Sequence, residues 1–166
     1  MKKTIAFALL LVLNFGFQSC QEEPKKDKQE RTEEVTNSDA ETKNLQNEFN
    51  KLMKESVAAH DEVMPKMGTI NESLEKLKEL SNQENKEEVE PIMEELKTGH
   101  EMMMSWMKGF GGDFTREEIN QGISTEDEEE IKQKLELIKK HHKEAQEMKK
   151  QITKSLQEAE EFIEQA

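Results

Sequence analysis

Apolar side chains recur along most of this chain at alternating steps of three and four residues, the period of one buried helical face. From about Ala40 to Leu80 the stripe is Leu45, Phe49, Leu52, Ser56, His60, Val63, Met67, Ile70, Leu74 and Leu77. A second stretch, from about Lys86 to Lys108, carries Val89, Ile92, Leu96, His100, Met103 and Met107 and leads on to Phe110. A third begins after Thr125 with Ile131, Leu135, Ile138, His142, Ala145, Met148, Ile152, Leu156, Ala159 and Ile163. No stretch shows the two-residue alternation of a strand. The pattern predicts three long helices.

The punctuation between the stripes sets their ends. Ser38 and Glu41 have the spacing of a capping box at the first helix start. Pro65 falls inside that helix, where it removes the bond to the Asp61 carbonyl and kinks or splits the rod at a cost of about 3 kcal/mol. Pro91 suits only the start of the second helix. Gly109, with Gly111 and Gly112, reads as its stop and as a hinge. Residues 109–124 then form a loop bearing Phe110, Phe114, Ile119 and Ile123, with Thr115 and Glu118 spaced to cap one short turn. Asp127 to Glu130 supply the acids favoured at a helix N-terminus. Short connections make neighbouring helices antiparallel, so a turn near Asn82 closes a hairpin and the longer loop returns the third helix alongside. The first helix should overhang the third, and the loop phenylalanines should cover Leu45, Phe49 and Leu52. The expected architecture is all-α: an antiparallel three-helix bundle over residues 41–166, built from a long kinked helix, a shorter one and a long one, after a disordered tether.

The first forty residues follow other rules. Lys2 and Lys3 precede an apolar run from Ile5 to Phe17, which is shorter than the ~20 residues that span a bilayer. Residues 1–19 therefore read as a signal peptide. Cys20 is the single cysteine, so it has no disulfide partner, and a lone thiol in an oxidising compartment is a liability. Lipid attachment explains both its number and its position. The segment resembles bacterial lipoproteins processed just before a cysteine, with Ser19 as the small preceding residue, although Phe17 and Gln18 depart from the usual Leu-Ala/Ser pattern. Gln21-Glu22-Glu23 resembles the acidic tags that send some such lipoproteins to the outer leaflet of the outer membrane; a plain spacer is the alternative. The resemblance implies a lipid-anchored outer-membrane protein of the cell envelope, on its periplasmic or surface face. Residues 20–40 would comprise the lipidated cysteine and an acidic tether. In it only Val35 is a sizeable apolar side chain, too little burial to offset ordering entropy.

Charge narrows the partners. The formal net charge is −13, and removing residues 1–19 takes away two lysines and no acid, leaving −15. Such acidity disfavours nucleic acid, which needs clustered cations. It also disfavours adsorption to anionic lipid, so membrane attachment needs the covalent anchor.

Candidate chemistry is concentrated in methionine and histidine. Eight of the nine methionines after Met1 lie between Met53 and Met107. Within that span His60, Asp61, Met64 and Met67 share a spacing with His100, Glu101, Met104 and Met107. On a helix the histidine and both methionines of each set fall on one face. Folding the hairpin about residue 82 puts His60 opposite Met104 and His100 opposite Met64. Imidazole and thioether together suit Cu(I), so a copper site formed by His60, Met64, Met67, His100, Met104 and Met107 is one reading. The other is that methionine fills irregular core around the Pro65 kink, opposite Gly99. His141 to Met148 resembles a His-His-x-x-Ala-x-x-Met stretch of an exported helical family often found beside copper genes. His142 lies about 15 Å along the helix from the other two histidines and stays outside their site, as a solvated or partly buried neighbour.

Other chemistries are set aside. A di-iron bundle needs Glu three residues before each ligand histidine, where this chain has Val57, Lys97, Ile138 and Lys139. There is no cysteine pair for zinc, no phosphate-cradling glycine loop and no nucleophile with an evident base. Acidic runs such as Glu126 to Glu130 read as solvated helix face. Trp106 reads as a core or groove aromatic, or as part of a partner-binding patch. Finally, His60 to Ile70 and Met104 to Phe110 resemble small helical lipoproteins of the Bacteroidetes type, often labelled "viral A-type inclusion protein", a label with no viral meaning. That resemblance covers most of residues 41–165 and implies a lipid-anchored bundle without a known activity. The expectation is a non-enzymatic envelope lipoprotein, without cofactor, that scaffolds or binds a protein partner. The alternative is a Met/His copper-binding lipoprotein for storage, transfer or sensing. Stripe left over after three helices pair leaves room for a fourth from a second copy, a homo-oligomer.

Overall fold

A computed structural model describes residues 27–166, with side chains from Asp39 onward; Cys20 and the segment before it lie outside the described residues. Helix α1 spans Asp27–Val63, a 3-10 turn follows at Met64–Lys66, and α2 spans Met67–Leu80. Helix α3 covers Lys86–Asp113, α4 is a short piece at Arg116–Gln121, and α5 runs from Glu128–Gln165. The first rod (α1, turn, α2) and α5 run in the same direction, as ion pairs Glu48–Lys139 (3.4 Å) and Glu62–Lys149 require. Helix α3 runs against both. Its Trp106 indole donates to the His141 carbonyl at 2.9 Å, and one helical stretch away Gln151 donates to the Glu95 carbonyl at 3.2 Å. The chain is an all-α, up-down-up three-helix bundle, as its periodicity predicts.

One continuous core runs down the bundle axis. Near the turn at residues 81–85 it is aliphatic, with Ile70, Leu77, Val89, Leu96 and Ile152 fully buried. Toward the other end it becomes aromatic, with Phe49, Trp106, Phe110 and Phe114. Two buried serines satisfy themselves on their own helices, Ser56 on the Leu52 carbonyl and Ser155 on that of Ile152. At Gly99 the backbones of α3 and α5 come close. A Cβ there would sit 3.1 Å from the Ile152 side chain.

Several ends differ from expectation. Helix α1 is already helical at Asp27, where the described residues begin, and passes straight through Ser38, so the Ser38/Glu41 pair is not its start and part of the expected tether has helical backbone. Lys, Glu and Gln are good helix formers and extend a helix already anchored by packing. Residues 20–26 of that segment lie outside the described residues. Helix α3 runs on through Gly109, Gly111 and Gly112 to Asp113, which corrects the reading of those glycines as a stop. Each glycine costs about 1 kcal/mol in a helix, and burial of Phe110 within the stretch and of Phe114 just beyond it opposes that cost. Pro91 lies inside α3, on its exposed side. Pro65 acts as expected, splitting the first rod at a 3-10 turn.

The segment after α3 is tied down. Thr115 and Glu118 form a reciprocal capping box on α4, and Asp127 caps α5 by accepting from the Glu129 and Glu130 amides. Gly122 takes φ 88°, a left-handed value that a side chain rarely adopts. There the chain bends against α1, where Asn50 accepts from the Ile123 amide at 2.9 Å and Gln46 donates to the Thr125 carbonyl at 2.8 Å. Phe114 meets Phe49 edge-on at 5.8 Å. The loop therefore covers the overhanging end of the first helix, as the stripe positions predict.

Candidate functional site

The polar chemistry of the bundle gathers around Trp106. On α3, Trp106 and Phe110 are one turn apart and their rings stack at 4.4 Å. His60 reaches over from α1 and stacks on Trp106 at 5.5 Å, while its Nδ1 pairs with the Asp61 carboxylate at 2.9 Å. From α5, His141 presents its ring edge-on to Trp106, Phe110 and Phe114 at 5.5 to 6.4 Å. One indole thus separates two imidazoles of different exposure.

The residues singled out by the twin spacing differ in exposure. His60, Met67 and His100 are partly buried. Met64 is 43% exposed, Met104 55% and Met107 38%, and these are the exposed large apolar side chains among the described residues. Met64 and Met107 are still more than half covered, and Met104 is the most exposed of the three. Met67, by contrast, lies against the core. The hairpin closes close to where the sequence folds it, yet His60 meets Trp106 where Met104 was expected. Correspondingly Trp106, and not Met107, occupies the buried stripe of α3. Among the described residues no group of three or more His, Cys, Asp or Glu is placed to hold a metal ion.

The His141 side is different in kind. Sequence periodicity assigns His142 to the core; the structure puts His141 there, 2% exposed, and leaves His142 partly exposed with Glu55 at 3.8 Å. The His141 Nε2 faces the Asp113 carboxylate at 2.7 Å, a charge-assisted bond across α5 and α3. Its Nδ1 has no hydrogen-bond partner, and Glu144 Oε2 lies 3.5 Å away. Leaving a buried nitrogen unsatisfied costs about 1–3 kcal/mol. Glycine eases the fit of the ring, since a Cβ at Gly109 would lie 3.3 Å from His141 Cε1, a tight contact. Beside it opens a groove of about 280 Å³ lined by Met102, Ser105, Trp106, Asp113, His141 and Glu144.

Asp113 is itself held in place. Lys134 donates to the Asp113 carbonyl at 2.9 Å and pairs with Glu118 at 3.1 Å. Burial pushes the Glu118 carboxyl up, but hydrogen bonds from the Thr115 backbone and from Lys134 outweigh it and hold the group below the ordinary value of 4.5. The α4 capping box, Lys134 and the end of α3 form one support behind the dyad.

No helix of the described residues is long and apolar enough to cross a membrane. Compared with known protein families, curated proteins and solved structures, the chain matches none.

Proposed function

We propose that this chain is a non-enzymatic, lipid-anchored protein of the cell envelope whose helical bundle binds a protein partner through its methionine-bearing face. One observation supports the binding half: among the described residues the exposed large apolar side chains, Met64, Met104 and Met107, are all thioethers and all belong to the two repeated His/Met sets. Unbranched, polarisable methionine adapts to the shape of a partner, and it is over-used on surfaces that bind proteins. The anchoring half rests on the leader, the single cysteine that directly follows it and the need for a covalent tether on so acidic a chain. Metabolic labelling with palmitate tests it, with Cys20→Ala expected to abolish incorporation. The partner surface is tested by photo-crosslinking from position 104 in intact cells. A discrete adduct lost in the Met64→Gln/Met107→Gln background supports the reading; crosslinks no more specific than those from Lys143, on exposed α5 surface, end it.

A second reading draws on the same exposure. The accessible thioethers belong to the same two sets as His60 and His100, and soft donors of this kind suit Cu(I). A Cu(I) competition titration on the chain decides it. Uptake that disappears in His60→Ala/His100→Ala supports a copper role. Failure of wild type to compete for Cu(I) removes it, and a variant that loses only melting temperature makes both histidines structural.

A further inference from the structure

The methionines divide by burial. Met53, Met103 and Met148 are at most 1% exposed, and Met67, Met93 and Met102 are partly buried and packed against the core. Met64, Met104 and Met107 are the three that water reaches, at 43%, 55% and 38%. Two of them, Met104 and Met107, stand one turn apart on α3 and share a face. Little else on the chain competes with them for an oxidant. There is no tyrosine, the single tryptophan is only 6% exposed, and the single cysteine is taken by the lipid in the reading above.

We infer that Met64, Met104 and Met107 form a modification site, oxidised selectively to methionine sulfoxide by hydrogen peroxide. A lone pair of the thioether sulfur attacks one peroxide oxygen, and the S–O bond forms as the O–O bond breaks. The proton of the transferred oxygen passes to the departing hydroxide, which leaves as water. Sulfur is oxidised by two electrons and the peroxide is reduced by them. Burial decides where this reaction spares the fold. A sulfoxide oxygen is a strong acceptor, and in an apolar core it meets no donor, which is costly. At Met64, Met104 and Met107 water supplies the donor, so the bundle persists. What changes is the surface, where three adaptable apolar groups become polar. This consequence rests on the partner reading of the methionine face: oxidation releases the partner. A methionine sulfoxide reductase reverses the step, a dithiol giving two electrons and two protons as the oxygen leaves as water. The face then works as a peroxide-sensitive switch.

The test treats the purified full chain with hydrogen peroxide and follows each methionine by peptide mass spectrometry. One oxygen is expected at each of Met64, Met104 and Met107, with Met104 first. Met53, Met103 and Met148 should react at least about tenfold more slowly, because their sulfurs meet peroxide only when the bundle opens. Helical circular dichroism and melting temperature should stay those of the untreated chain until the three exposed positions are filled. Equal rates at buried and exposed methionines overturn the inference, as does a helical signal that falls in step with the first oxygen taken up. The consequence for binding is read in cells, from the adduct formed by a photo-crosslinker at position 104. Peroxide should abolish that adduct in the wild-type background. It should spare the adduct in Met64→Leu/Met107→Leu, whose side chains stay apolar and take up no oxygen. An adduct that survives peroxide in the wild-type background overturns the switch. Absence of an adduct before peroxide is added ends the partner reading instead, and the oxidation rates on the purified chain then decide the modification alone.

Discussion

The two ends of the bundle are closed by different means. At the turn end, Asn82 and Asn85 bond to each other's backbone and to their neighbours, and Asn85 donates to the Leu80 carbonyl. Every one of these bonds joins residues at most five apart. At the loop end the bonds reach from Gln46 to Thr125, from Asn50 to Ile123 and from Lys134 to Asp113, above a layer of four aromatic rings. The turn end shapes its own connection; the loop end fastens all three rods to one another. The groups that carry chemistry, His60, His141 and Asp113, stand at the fastened end. A site is precise where the structure around it over-determines its side chains.

That contrast is open to measurement. Trp106→Ala removes the ring shared by α1, α3 and α5 together with its bond to the His141 carbonyl. A loss of about 3–5 kcal/mol in denaturant unfolding is expected. Leu77→Ala, fully buried at the turn end, should cost about 2–5 kcal/mol, and it should raise amide exchange only in α2 and the start of α3. If Leu77→Ala loosens the loop end as well, the two ends are a single cooperative unit. Gly122→Ala forces a side chain into a left-handed backbone and onto Asn50, where the added Cβ would lie 2.2 Å from the amide oxygen. More than about 1 kcal/mol should be lost, seen first as exchange at Ile123.

Glu118 gives a pH signature to the same end. Its folded pKa lies below its unfolded one, so its contribution is present above the unfolded value and fades as pH falls through the folded one. Glu118→Gln is therefore expected to lower the melting temperature near about pH 7 and to make no difference near about pH 2. The smallest effect belongs to Met104→Gln. At an exposed position it should change stability by no more than about 0.5 kcal/mol while weakening whatever the methionine face binds. A large loss of stability would return Met104 to the core.

The helices, the Pro65 split, the capping of α4, the acidic start of α5 and the covering of Phe49 by the loop were all legible from spacing. The candidate site was half legible, and the failures have one cause. Between Ile138 and Ala145 a stripe can step four and then three, through His142, or three and then four, through His141; both are regular helical faces. Between Met103 and Phe110 the same choice lies between Met107 and Trp106. Both resolve to three-then-four, because Trp106 and His141 meet each other across α3 and α5. Such a choice is made by the partner helix and leaves no trace in either sequence alone. Gly109 misled for a related reason. Its small size looks like a helix stop along the chain, yet it serves the neighbouring helix by leaving room for an imidazole. Asp113 was hidden behind that error, since a residue expected in a loop is not a candidate partner for a core histidine.

Because α1 and α5 point the same way, the chain enters the three-rod body at its loop end and leaves it at the opposite one. Tension applied between the two termini runs along the helix axes. Under that load the ion pairs and buried faces between α1 and α5 slide against one another all at once, in shear, and do not peel open one contact at a time. A body threaded in this way resists stretching far better than a hairpin pulled from two adjacent ends.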